Sequence, residues 1–446
     1  MKNIAKLTAG LMLSASIFTT AWADTITMWT MEEQPDRMAA QEKIAAAFKA
    51  KTGHDVKIVP VTEKDIATRA TAAFGAGDLP DILNHTVQHL LPFSSAGMLD
   101  AGAATEVVND LGMGTFASGS LNMAKSNGQI VSVPTDGWTQ LVVYRADKFK
   151  EAGLNPPKTF ADIKAAIDKL HNPPSMYGFV AATKIDETYM MQLIEHISLA
   201  NGYSPINADG SINEDTSKLK EVLEFYKTIA DASPEGDLFW KQSREQYLAG
   251  KAAMIIWSPS LLDELGGLRD SAPVTIGSDP TSKDLAKNTG FVTVFSGPSN
   301  AAGAAYADTR YLGITNDANT EVAQDFVKFV VSEGYGEWLG MAAEGKFPVR
   351  KGSAEGQNDY EQMWSTLSVG VDRKEPLSNI YSKETIDDIV AGLSVGDRWG
   401  VADGQLETAS KIVNARVMAQ EIRKYIDGEQ SLDEAANAIV AKHKAL

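Results

Sequence analysis

The 446-residue chain contains no cysteine. That absence excludes disulfide scaffolds, thiolate zinc sites, iron–sulfur clusters and cysteine nucleophiles together. Histidine is scarce as well, with six copies, and His85 with His89 is the one pair spaced four apart, so nothing in the sequence calls for a metal or other cofactor. Basic residues are outnumbered, 41 Lys and Arg against 58 Asp and Glu, for a formal charge of −17. A chain so acidic, with no cluster of Lys and Arg, repels phosphate backbones and anionic lipid, which excludes nucleic acid as a partner. No phosphate loop, zinc helix motif or nucleophile elbow is present, since Gly250-Lys251 lacks the upstream glycine spacing and the following Ser or Thr.

Long apolar runs are also missing, except at the start. Lys2 and Lys6 precede the apolar stretch Leu7 to Trp22, and Ala21-Trp22-Ala23 reads as a small-x-small cleavage site. The stretch is short of a bilayer span and carries Ser14, Ser16, Thr19 and Thr20. Residues 1–23 are therefore expected to be a signal peptide cleaved after Ala23, giving an exported periplasmic protein. With no cysteine after the site, a lipoprotein anchor is excluded. The exported chain keeps 39 basic and 58 acidic residues, a charge of −19.

What remains has an ordinary soluble composition, 44% apolar and 22% charged, long enough for two or three cores. Thr25–Thr30, His54–Val59 and Asp81–Leu83 read as strands, separated by helices from about Asp36 to Gly53 and from Lys64 to Phe74. That order is the grammar of a parallel α/β sheet. Farther on, Thr159-Phe160-Ala161-Asp162 and Ser431-Leu432-Asp433-Glu434 are capping boxes, and Ala252–Trp257 is an apolar strand. The segment 277–310, rich in Gly, Ser, Asn and Ala, reads as loop, with Tyr311–Thr315 a strand after it. The last hundred residues read as mostly helical.

Six segments in order carry a resemblance. They are the opening strand at Thr25–Thr30, Gly77-Asp78-Leu79-Pro80-Asp81-Ile82, and Val133-Pro134-Thr135-Asp136-Gly137-Trp138 leading to Val143-Tyr144-Arg145 and Phe149–Leu154. Tyr247-Leu248-Ala249-Gly250-Lys251-Ala252-Ala253-Met254, Ala323–Phe329 and Ser431–Ala436 complete the set. Together the chain resembles the sugar-binding family of extracellular solute-binding proteins that serve ABC importers. The resemblance implies an α/β fold of two lobes, each a mixed sheet flanked by helices, with a ligand cleft between them. It implies one lobe at 24–135 plus 278–346 and the other at 136–277 plus 347–446, with hinge closure around a carbohydrate. It further implies a non-enzymatic monomer that delivers its ligand to membrane permease subunits, without a cofactor.

Sugars need hydrogen-bonding groups at fixed angles and aromatic planes to stack on. At cleft-side positions the sequence offers Glu33 and Gln34 after the first strand, Asn84 and His85 at the end of the third, and Asp136 and Trp138 at the first crossing. Trp257 ends the apolar strand, Tyr189 begins a helix, Arg350 lies beside the last crossing, and Trp399 sits in a loop. An Arg350 facing the cleft would admit an acidic or sulfated sugar. Ala415 and Ala419 stand near where the family's maltodextrin binder places an aromatic and an arginine, which favours a monosaccharide, disaccharide or sugar–polyol conjugate over a long glucan. The alternatives are the same fold binding a polyamine, iron or a phosphate ester, and a secreted glycoside hydrolase or lyase with two carboxylates across a cleft.

Overall fold

The computed structural model describes residues 23–446; the expected signal peptide, apart from Ala23, lies outside the described residues. The first strand–helix–strand–helix–strand run forms as the sequence predicts. Thr25–Thr30 pairs in parallel with Asp55–Pro60 on one side and with Ile82–Leu83 on the other. The intervening helices are Pro35–Thr52, with proline in its first turn, and Ile66–Ala76. Gly53 and Gly77 end them in the left-handed conformation, at φ of 88° and 67°, where a Cβ would be strained.

The same sheet continues antiparallel. Ala305–Ile314 pairs with Ile82–Thr86 and with Val133–Thr139, and Phe347–Pro348 closes the edge beside Val133–Thr139. A second sheet has Leu141–Arg145 at its centre, flanked antiparallel by Met254–Trp257 and Thr289–Val292. Only Gln140 separates the last residue of the first sheet's crossing strand from the first residue of the second sheet's central strand. The two lobes thus meet at a very short crossing.

Side-chain alternation distributes the second sheet between two cores. Leu141, Val143, Ile255 and Phe291 join the core that includes the first lobe. Val142, Tyr144, Met254, Ile256 and Val292 face the other way, into a core built on the helices Thr188–Ala200, Ser217–Asp231, Val417–Ile426 and Leu432–His443. Both expected caps sit at helix starts, with the Thr159 and Ser431 hydroxyls accepting from the amides of Asp162 and Glu434; the reciprocal bond of a full capping box forms at Ser431, whose amide donates to the Glu434 carboxylate, and not at Thr159.

Within the stretch 278–303, Thr289–Val292 hydrogen-bonds to Leu141–Arg145 of the second sheet. The chain passes from the first sheet to the second at Gln140 and returns to the first between Val292 and Ala305. After Pro348 the chain returns to the first sheet, where Trp364 packs on Phe347 and Gly396–Asp397 pairs in parallel with Ala305–Tyr306, before the C-terminal helices pack in the second core. The loop expected over 277–310 contains two strands.

Candidate functional site

A cavity of about 290 Å³ opens where the lobes meet, lined among others by Glu32, Arg37, Trp138, Arg310 and Lys346 from the first lobe and by Ser258–Ser260 from the second. Strand geometry explains how Trp138 and Arg310 come to line it. On Ala305–Ile314, Asp308 and Arg310 are two apart and share a face; across the ladder they stand opposite Trp138 and Asp136. One polar and aromatic face, made by Asp136, Trp138, Asp308 and Arg310, is thereby turned to one side. Ser258 and Pro259 follow directly where the strand ending at Trp257 stops.

Charge is arranged in this floor with care for burial. Lys346 reaches both Glu32 Oε1, at 2.5 Å, and Asp136 Oδ1, at 3.2 Å, while Arg37 holds Glu32 Oε2 at 2.6 Å. Burial alone would raise the Glu32 carboxyl, but Lys346, Arg37 and Arg310 overcome it and hold it at about 2. The remaining Asp136 oxygen accepts from Trp338 Nε1 at 2.8 Å and from the Thr135 hydroxyl at 2.9 Å. Both oxygens of the buried Asp136 side chain are therefore partnered.

Above the cleft floor of the second lobe stands an aromatic group. Trp257 packs edge to face on Tyr189 at a centroid distance of 4.5 Å and lies nearly parallel to Trp240 at 6.2 Å. Trp240 is 37% exposed and carries the Arg244 guanidinium over its ring. The Trp257 indole N–H is buried without an acceptor among the described residues.

The family model for bacterial extracellular solute-binding proteins matches residues 33–337, most of the chain. The protein belongs to that family. Its two-lobed architecture is also that of solved relatives. The cyclic alpha-maltosyl-1,6-maltose binding protein from Arthrobacter globiformis superposes with a TM-score of 0.71 at 18% identity, covering 95% of this chain and 99% of that one. Escherichia coli K12 YcjN, a protein provisionally named as an ABC transporter periplasmic-binding protein, is 25% identical over 71% of each chain. The sn-glycerol-3-phosphate-binding periplasmic protein UgpB of Pectobacterium atrosepticum is 28% identical over 50% of this chain, which spans about half of UgpB (52%).

Within this solute-binding protein, one of the ten residues picked from sequence, Trp138, lines the cavity, and Trp257 adjoins it through Ser258. Glu33 and Gln34 are exposed on the loop beside Glu32 and are not among the lining residues. The other six have partners inside the protein. Asn84 accepts from the Met31 amide and donates to the Tyr311 carbonyl, tying neighbouring strands. His85 is wholly buried, shares a 2.8 Å hydrogen bond with Ser132 and stacks on Tyr311. Burial pushes its imidazole down to about 3, so it is neutral. Tyr189 donates to the Ile256 carbonyl at 2.7 Å and braces Trp257 from beneath.

Asp136 is absorbed by Lys346 and Trp338, as above. Arg350 is 2% exposed and clamps the chain: Nη1 donates to the Val331 carbonyl at 2.7 Å, Nη2 to that of Leu111 and Nε to the Thr115 hydroxyl. The expected cleft cation is a structural brace, so it supplies no argument for an acidic sugar. Trp399 is buried in the second core, with Nε1 donating to the Tyr203 carbonyl, and borders a separate cavity of only about 60 Å³.

The cleft residues passed over in sequence are Arg37, Arg310, Lys346, Ser258 and Ser260, together with Glu32 in preference to its neighbour Glu33. One signal existed. Asp308 and Arg310 alternate with buried Ala307, Thr309 and Tyr311, which is strand periodicity with a polar face.

Proposed function

We propose that the protein is a periplasmic receptor that captures a carbohydrate of mono- or disaccharide size between its lobes and delivers it to the permease of an ABC importer. The carrying observation is the pairing, at one lobe junction, of a half-buried tryptophan on each side with a hydrogen-bonding floor. Trp138 comes from the first lobe and Trp257 from the second, and Glu32, Arg310, Ser258 and Ser260 stand between or beside them. Aromatic faces take sugar C–H surfaces, and the polar groups take hydroxyls. A cavity of about 290 Å³ suits a small sugar rather than an extended glucan. Ligand touching both lobes stabilises the closed arrangement, and the one-residue link at Gln140 is where rotation would be absorbed. The names of similar proteins, one binding a cyclic maltosaccharide and one glycerol 3-phosphate, support solute capture of this kind.

The signal peptide ending at Ala23 and a monomeric state belong to the same reading. No cofactor or catalytic pair is part of it: the acids at the cleft floor are held by Lys346 and Arg37, which suits binding rather than proton transfer. A thermal-shift screen with neutral mono- and disaccharides, alditols and their acidic counterparts tests it. A ligand that binds only the folded state raises the midpoint. Raised midpoints with amino acids or polyamines, and none with carbohydrates, would overturn the assignment.

A further inference from the structure

One cation of the cleft lining has no partner. Glu32 is held by both Arg37 and Lys346, and Glu344 by Arg269 at 3.1 Å, so each acid of the lining is already engaged by a cation. Arg310 lines the same cavity, half-buried, and makes no side-chain hydrogen bond or ion pair among the described residues. A guanidinium carries five N–H donors in a planar fork, and leaving them unmet in a half-buried site is unfavourable unless water or a ligand meets them. Arg37 adds a second guanidinium, its side chain 30% exposed, with Nη1 alone on Glu32.

The acids around Arg310 keep it charged without answering it. Burial works to lower its affinity for a proton, and Glu32, Asp136, Asp308 and Glu63 together raise it above the ordinary value. Yet the Glu32 and Asp136 side chains are only 3% and 1% exposed, and their oxygens are bound by Arg37, Lys346, Trp338 and Thr135. Asp308 and Glu63 are not in the lining. A solute in this cavity therefore meets three cations, Arg37, Arg310 and Lys346, against two acids already paired. On a chain of formal charge −17 that is a local reversal of sign. A neutral solute would cover the Arg310 charge and leave it uncompensated, whereas an anionic group would balance it.

We propose that Arg310 makes the cleft select an acidic solute: a small sugar or polyol derivative carrying a carboxylate, phosphate or sulfonate, two of whose oxygens accept from the guanidinium fork. This rests on the carbohydrate reading above and narrows it to solutes with a negative charge. It is also the role that Arg350, buried as a brace, does not fill. Trp138, lining the same cavity, supplies the apolar face for the rest of the solute.

Calorimetric titration of the purified protein with matched solutes tests it: glucose against glucuronate and glucose 6-phosphate, and glycerol against glycerol 3-phosphate. An acidic member should bind about 10- to 100-fold more tightly than its neutral partner, the range for hydrogen bonds to a charged group. Whether the carboxylate or the phosphate gains more identifies the group that the fork takes. Added salt should weaken the acidic solute and leave the neutral one unchanged. Arg310→Gln should abolish the preference while the neutral partner binds as before. Arg310→Lys keeps the charge that the surrounding acids require and loses the fork; it should melt like wild type and retain only part of the preference, which separates lost recognition from lost folding. Acidic and neutral partners binding equally tightly, or a preference that survives intact in both variants, would overturn the role of Arg310 and leave the receptor function standing. Binding of neither class would overturn the carbohydrate reading, and the inference with it.

Discussion

Lys346 places its ammonium 2.5 Å from Glu32 Oε1, joining the loop after the first strand to the turn that precedes the Phe347–Pro348 edge strand. Both side chains are almost fully buried, so neither charge is solvated by bulk water. Separating buried ions costs far more than separating exposed ones, because the partner left behind is desolvated and uncompensated.

Acid stability should therefore report on this pair. The Glu32 carboxyl falls from an ordinary 4.5 to about 2 in the folded protein. A depressed carboxylate contributes stability above its unfolded value and loses it as pH falls through the folded one. The window is thus about pH 5 down to 2, with a contribution on the order of 3 kcal/mol. Glu32→Gln should lower the melting temperature at pH 7 and flatten the dependence below pH 5. Urea titrations at several pH values measure both; an unchanged acid limb would show that Glu32 titrates normally.

Arg350→Met is expected to damage the fold and spare the ligand. The substitution removes donors from the carbonyls of Val331 and Leu111 and from Thr115, along with packing on Phe116 and Tyr360. Orphaned buried acceptors cost about 1–3 kcal/mol each before partial rescue by water. A loss of roughly 2–4 kcal/mol in stability with an affinity near wild type is the expected pattern. A stable variant with lost affinity would place the guanidinium in the cleft after all.

His85 should reveal itself through pH rather than affinity. Its folded value of about 3, set first by burial, lies below the unfolded 6.5, so the unfolded chain binds the proton first as pH falls. Stability is complete above pH 6.5 and declines below it, by up to about 1.4 kcal/mol per pH unit for this one group. His85→Gln should remove that increment of slope between pH 6.5 and 4 and leave ligand binding intact. Denaturant midpoints across this range provide the check, and an unaltered slope would mean that the imidazole is solvated.

Why the sequence disclosed the frame better than the site follows from what each requires. Parallel strands and caps depend on local patterns, and Gly53, Gly77, Thr159 and Ser431 mark element ends where the chain itself demands them. The strand Ala305–Ile314 was hidden in its first half because Asp308 and Arg310 replace the apolar face that makes a strand visible. The polarity that serves the cleft is what concealed the element carrying it. Arg350 and Asp136 misled for the opposite reason. A charged residue beside a crossing looks the same in sequence whether it meets a ligand or a buried partner, and Lys346, 210 positions away from Asp136, supplies that partner.

Trp257 offers the test that separates stacking from scaffolding. Its ring packs against both cores, is braced by Tyr189 and parallels Trp240, so truncation to alanine costs packing on both sides. Half-burial limits that loss: aromatic pairs add about 0.5–1.5 kcal/mol beyond area, and a destabilisation of roughly 2 kcal/mol is expected, short of the 3–5 kcal/mol of a wholly buried aromatic. If the exposed part of the ring stacks on the sugar, affinity should fall in addition by roughly 30- to 1,000-fold, the span of an aromatic hot spot. Tyr189→Phe isolates the scaffold. It removes the hydrogen bond to the Ile256 carbonyl while keeping the ring under Trp257, so stability should drop by about 1 kcal/mol with affinity nearly unchanged. Ligand-induced quenching or shift of tryptophan fluorescence should persist in Tyr189→Phe and shrink in Trp257→Ala. A Trp257→Ala protein that melts early yet binds like wild type would remove this indole from the ligand's path and leave Trp138 as the aromatic surface of the cleft.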